Sequence, residues 1–131
     1  MDFLKPEAWP RAPGFSWGVA ATGRQVFVAG QVGRDPAGGA LTVGDFGAQA
    51  TQALANIVTV LREAGAKPEH IAHMTWYVTD IEAYKAAGRA IAEGYKAHIG
   101  RHFPSMTMIQ VVALLAEDAL VEIDCVAVAP D

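Results

Sequence analysis

The chain has 131 residues and a formal net charge of −4, and it is 52% apolar and 18% charged. That balance excludes bulk disorder, and the length fits one domain, residues 1–131, with a core that needs no metal or disulfide staple. The basic residues are scattered, so the clustered cations that nucleic acid binding requires are missing and no nucleic acid partner is expected.

Along the chain, the start (Met1 to Gly14) holds Pro6, Pro10 and Pro13 and reads as an irregular lead-in. It carries two early acids and lacks a leader pattern, and no apolar run reaches membrane-spanning length; no membrane partner and a cytoplasmic location are expected. Ser16 to Ala21 and Gln25 to Ala29 alternate with a period of two and are predicted strands, joined by a turn at Gly23. Arg34 to Gly39 is a loop by its Asp-Pro and Gly-Gly pairs. Gly44 to Ala64 is a predicted helix with Phe46, Ala50, Ala53, Ile57 and Leu61 on one stripe, Asp45 as N-cap and Gly65 beyond the last turn.

His70 to Thr79 is a predicted strand, with Ala72, Met74, Trp76 and Val78 on one face and His73, Thr75 and Tyr77 on the other. A second helix is predicted from Thr79 to Gly100, with Thr79 and Glu82 at capping-box spacing and Ile81, Tyr84, Ile91, Tyr95 and Ile99 inward. Two further strands follow, near Met106 to Val112 and Leu120 to Val128, separated by the polar turn Ala116 to Asp118. Interleaved strands and helices predict an α+β fold: one mixed β-sheet with two helices packed on one face. The other face, expected to carry Trp76 and Glu122, has nothing in the same chain to cover it, so further copies of the chain are the expected cover.

The residues offer few sites by themselves. Cys125, the sole cysteine, lies in the apolar run Val121 to Val128 and reads as a small core residue. His70 and His73 point to opposite faces of a strand, and Gly100 interrupts the pairing of His98 with His102, so no metal is expected. Glu122 is either a general base or a solvated strand carboxylate. Met106 and Met108, with Gln110 continuing the row, form either a soft ligand pocket or core. Trp17 and Trp76 suit a planar ligand or an interface. Gly88 and Gly94 inside a helix mean close packing or room for a ligand.

The chain resembles the RidA (YjgF) family over nearly its whole length. The resemblance rests on Val28-Ala29-Gly30-Gln31, Gln49-Ala50, Leu54-Ala55-Asn56-Ile57, Glu63-Ala64-Gly65, Tyr77-Val78-Thr79-Asp80, Phe103-Pro104 and Val121-Glu122-Ile123-Asp124, in that order. It implies a chorismate-mutase-like fold, a homotrimer with a barrel-like core, and small-molecule clefts between subunits. It implies no cofactor, and an activity of hydrolysing enamines and imines to a keto acid and ammonia. In that chemistry an Arg holds the substrate carboxylate and a Glu positions water. The Glu falls on Glu122 and the Gly after the second strand on Gly30. The Arg falls on Met106, the neighbouring Cys on Met108, the helix Asn on Gly88, and the cleft Tyr near Phe15 or Ser16. Methionine offers none of the forked donors that fit a carboxylate, so weak or absent turnover of small amino-acid-derived imines is expected. Arg89 is a possible substitute cation or an exposed helix residue. A non-catalytic metabolite-binding module is the alternative function. An RNA-cleaving or translation-inhibiting role fits the acidic charge poorly.

Overall fold

The computed structural model describes residues 1–131. Its strands are β1 (Asp2–Leu4), β2 (Gly18–Ala20), β3 (Arg24–Val32), β4 (Ile71–Val78), β5 (Ser105–Gln110) and β6 (Val121–Ala129). Its helices are α1 (Phe46–Glu63), α2 (Ile81–Ala86) and α3 (Gly88–His98). Four strands form one sheet in the order β3-β6-β4-β5: β6 runs antiparallel to both neighbours and β5 runs parallel to β4. The mixed sheet with helices on a single face agrees with the sequence reading.

Strand alternation decides which face is covered. Along β6, Val121, Ile123, Cys125, Ala127 and Ala129 are buried against the helices, while Glu122, Asp124, Val126 and Val128 are half-exposed on the opposite face. α1 supplies Phe46, Ala50, Ala53, Leu54, Ile57 and Leu61 to the same core. The Asp45 side chain caps α1, accepting from the Ala48 N–H at 2.9 Å, and Gly65 takes the left-handed φ of 68° that ends it.

Three parts differ from the sequence reading. The lead-in is not wholly irregular: Asp2–Leu4 pairs antiparallel with Gly18–Ala20, and Trp9 and Phe15 set their rings edge-on to Trp17. The second helix is two helices, so three pack on the sheet, because the chain closes a turn at Ala87 and restarts at Gly88, a residue with poor helix propensity. Its cap is Asp80 and not Thr79; the Asp80 carboxylate accepts from the Glu82 and Ala83 N–H groups.

Trp76 also lies on the other side of the sheet from its expected place. It is 4% exposed and shares the helix face with Met74 and Val78. The row Met74, Trp76, Val78 is wholly apolar and the row His73, Thr75, Tyr77 is polar, so the apolar row belongs under the helices. Cys125 is a buried core residue as expected.

Two buried amides hold the loops to this frame. Gln49 is fully buried; its Nε2 donates to Thr42 O and Asp118 O, and its Oε1 accepts from Leu120 N at 2.8 Å. Asn56 Nδ2 donates to Val32 O and Arg34 O, and its Oδ1 accepts from Gln52 Nε2. Every polar atom of both side chains therefore has a partner, which is the condition for burying them. Replacing Gln49 with Leu keeps the volume but removes three part-buried hydrogen bonds, each worth about 1 kcal/mol. The urea unfolding midpoint of Gln49→Leu is expected to fall by the equivalent of ~3 kcal/mol.

Candidate functional site

A cavity of about 720 Å³ opens on the helix face beside the edge strand β5. Its floor is Trp76 from β4 and Met106, Thr107 and Met108 from β5; its roof is Tyr84 from α2 and Gly88, Ile91, Ala92, Tyr95 and Lys96 from α3. Gly100, Arg101, Phe103, Arg11 and Gly14 complete the lining, with Arg11 and Arg101 exposed. The cavity exists because α3 packs principally on α1 rather than on β5. Gly94 makes that packing close: a β-carbon there would stand 2.0 Å from Thr51 Oγ1. Gly88, by contrast, has open space around it and lines the cavity, so the two helix glycines serve different ends.

The lining is aromatic and soft. Tyr84 is edge-on to Trp76 and to Phe46, with ring centroids 6.4 and 6.1 Å apart, and Tyr95 stacks on Phe103 at 5.6 Å and 6°. The Tyr95 hydroxyl donates to His102 O at 2.6 Å, and burial raises its pKa far above the ordinary tyrosine value, so it stays a neutral donor fixed to the backbone. The Trp76 indole N–H is buried and has no acceptor in the chain. A buried donor left unpaired costs about 1–3 kcal/mol. Arg11, Lys96 and Arg101 also line this space, and no carboxylate does.

Glu122 stands elsewhere. It pairs with Tyr77 of β4 and Val32 of β3 on the uncovered face of the sheet, opposite the face that bears Met106 and Met108. Gly30 makes room for it: β3 takes one extra residue between Val28 and Gln31, and a β-carbon on Gly30 would stand 2.8 Å from Glu122 Cδ. Close by, the Tyr77 hydroxyl donates to Asp124 Oδ2 at 3.3 Å, and the adjacent Asp124 charge raises the Tyr77 pKa.

The remaining residues singled out from sequence are spread around these two places. Gln110 lies outside the cavity lining, and its Oε1 accepts from the Ile81 N–H at 2.8 Å, holding the start of α2 to the end of β5. Arg89 is on the solvent side of α3 and pairs with Glu93 at 3.5 Å, with 92% of its side chain exposed. Ser16 donates to Phe103 O and bridges to Ser105, pinning the start of β5. Trp17 donates from Nε1 to Pro10 O at 2.8 Å. Ser16 and Trp17 line a smaller groove that shares Arg11, Gly14 and Phe103 with the main cavity. Sequence reading passed over Tyr84, Ile91 and Tyr95 as site residues, although their helical stripe was legible. It had no means of finding Arg11 and Arg101, which reach the cavity from loops. No cluster of three His, Cys, Asp or Glu side chains capable of holding a metal ion is present.

Cys125 is not a nucleophile for either place. Burial, reinforced by the Asp124 charge, pushes its thiol from an ordinary value near 9 to about 12. In the folded state the thiol holds its proton more tightly than in the unfolded chain. The resulting stabilisation is complete below pH 9 and disappears as pH rises towards about 12. A thiol reagent at pH 8 is expected to modify Cys125 only after denaturant is added.

Comparison with known proteins agrees with this architecture. Residues 7–129 match the family model described as Endoribonuclease L-PSP. A 2-iminobutanoate/2-iminopropanoate deaminase of Capra hircus is 34% identical over 105 residues, covering 80% of this chain and 73% of the relative. A crystal structure of the Rid-family protein YyfB from Yersinia pestis superposes with a TM-score of 0.82 at 32% identity, covering 98% of both chains. E. coli TdcF, solved with bound serine, gives 0.71 at 25% identity and covers 98% of this chain and 99% of its own. No helix is long and apolar enough to cross a membrane. The sheet with helices on one face, the matching family model and these relatives together place the chain in the RidA (YjgF) family.

Proposed function

We propose that the protein binds a small metabolite in the cavity over Met106 and Met108 and hydrolyses an imine-like group there, with Glu122 of a second copy activating the water. One observation carries this reading. The cavity and Glu122 lie on opposite faces of one sheet, and the cavity opens at the edge strand β5, so a single chain cannot bring them together. A second copy docked across that edge would complete the site. The uncovered face and the fully exposed Val112 and Leu115 beyond β5 offer the apolar surface such docking needs. A homotrimer, as the family implies, would create three such seams.

In the reaction, water adds to the carbon of C=N while the carboxylate takes its proton. The proton passes to nitrogen, the carboxylate then carries the hydroxyl proton of the tetrahedral adduct to the same nitrogen, the C–N bond breaks, and ammonia and a carbonyl product leave. The mammalian deaminase name among the relatives supports this chemistry. The net charge of −4, with no basic stripe, supports a metabolite over RNA as partner.

Met106 favours a second reading, a binding module without turnover, because a thioether cannot hold a carboxylate by charge-assisted hydrogen bonds. Two variants separate the readings. With imines generated in situ and ammonia followed, Glu122→Gln is expected to lower turnover at least ~100-fold; an unchanged rate refutes the role given to Glu122. Met106→Arg is expected to gain deamination of small imino acids through about 1.5–3 kcal/mol of new carboxylate binding. Ligand affinity without turnover in all three proteins would establish the binding module.

A further inference from the structure

The cavity carries a charge pattern that the apolar lining conceals. Its walls include Arg11, Lys96 and Arg101 and no acidic side chain, in a chain whose acids outnumber its bases. Like charges gathered round one space repel each other, and an anion placed among them relieves that repulsion. The residues nearest the floor are uncharged, so the anionic end of a ligand belongs at the mouth and its body belongs inside. The space of about 720 Å³ is far more than a three-carbon acid fills; cavities of ~300–1,000 Å³ bury ligands of drug size.

We infer that the cavity selects a carboxylic acid with an aromatic or bulky aliphatic side chain. Its carboxylate is held at the mouth by Lys96 and Arg101, with Arg11 alongside, and its side chain lies against Met106, Met108 and the Trp76 ring. The cations then come from α3 and the loops, and the methionine at 106 is part of the apolar floor.

The inference rests on the cavity being the ligand site, but not on Glu122 or on turnover, so it is tested by binding alone. The probes are 2-oxo-4-phenylbutanoate, the short acid 2-oxobutanoate, and the neutral ketone 4-phenylbutan-2-one, titrated calorimetrically into the full chain in its native assembly. The phenyl acid is expected to bind at least about tenfold more tightly than either of the others, and to weaken with added salt because the cations are exposed. The double variant Lys96→Gln, Arg101→Gln is expected to lose about tenfold in affinity for the phenyl acid and to keep its affinity for the neutral ketone. Equal affinities for acid and ketone, or for long and short acids, overturn the proposal, as does the absence of any binding.

Arg89→Gln, on the solvent side of α3 and outside the cavity lining, is expected to bind the phenyl acid like the parent protein. Tight binding of the phenyl acid by the parent protein with no turnover of the corresponding imine would refute the catalytic reading and leave this one standing.

Discussion

The parallel pairing of β5 with β4 is the constraint from which the candidate site follows. Parallel neighbours cannot be joined by a tight turn; the chain must leave the end of β4, cross one face of the sheet and return to the start of β5. α2 and α3 are that crossover. α3 packs along α1 through Gly94 and Thr51, and this contact holds it away from the edge strand. The cavity is the space left between a helix committed to its helical neighbour and a strand committed to its sheet. A helix packed flat on β5 would have filled it.

The same sheet keeps two chemistries apart. The helix face is apolar and receives Met106, Met108 and Trp76; the uncovered face holds Glu122, Asp124, Tyr77 and His73. Strand alternation makes this separation strict, since a one-residue slip would carry every side chain across the sheet. A site that needs both an apolar binding space and a carboxylate cannot be assembled from one copy of such a sheet. For the reaction proposed above, a second copy of the chain is therefore a requirement. Gly30 belongs to the same logic, because its missing side chain clears space beside the Glu122 carboxylate at a strand bulge.

The polar residues shared with the family divide into two kinds. Gln49 and Asn56, within the runs that carry the resemblance, are saturated by backbone groups near Thr42, Arg34 and Asp118 and, for Asn56 Oδ1, by the Gln52 side chain. Their work is to hold loops, and it leaves no atom free for a ligand. Glu122, in the run Val121-Glu122-Ile123-Asp124, has no such engagement with the chain's own backbone.

The amino-acid sequence by itself determined the periodic parts: α1 with its Asp45 cap and Gly65 stop, the alternation of β4 and β6, and the burial of Cys125. These follow from local spacing and from short-range hydrogen bonding, which a linear pattern records. Tertiary structure decided which face each alternating row would meet. It moved Trp76 from the expected bare face to the core, broke the second helix at Gly88, and drew Asp2–Leu4 into a hairpin with Gly18–Ala20. It also decided that Arg11 and Arg101, on loops 90 positions apart, share a wall with Met106, while Arg89, one position from Gly88, does not. A sequence pattern gives the direction of a side chain relative to its own element. Whether that direction leads into a cavity depends on where the neighbouring elements pack, and nothing in the spacing of residues encodes that distance.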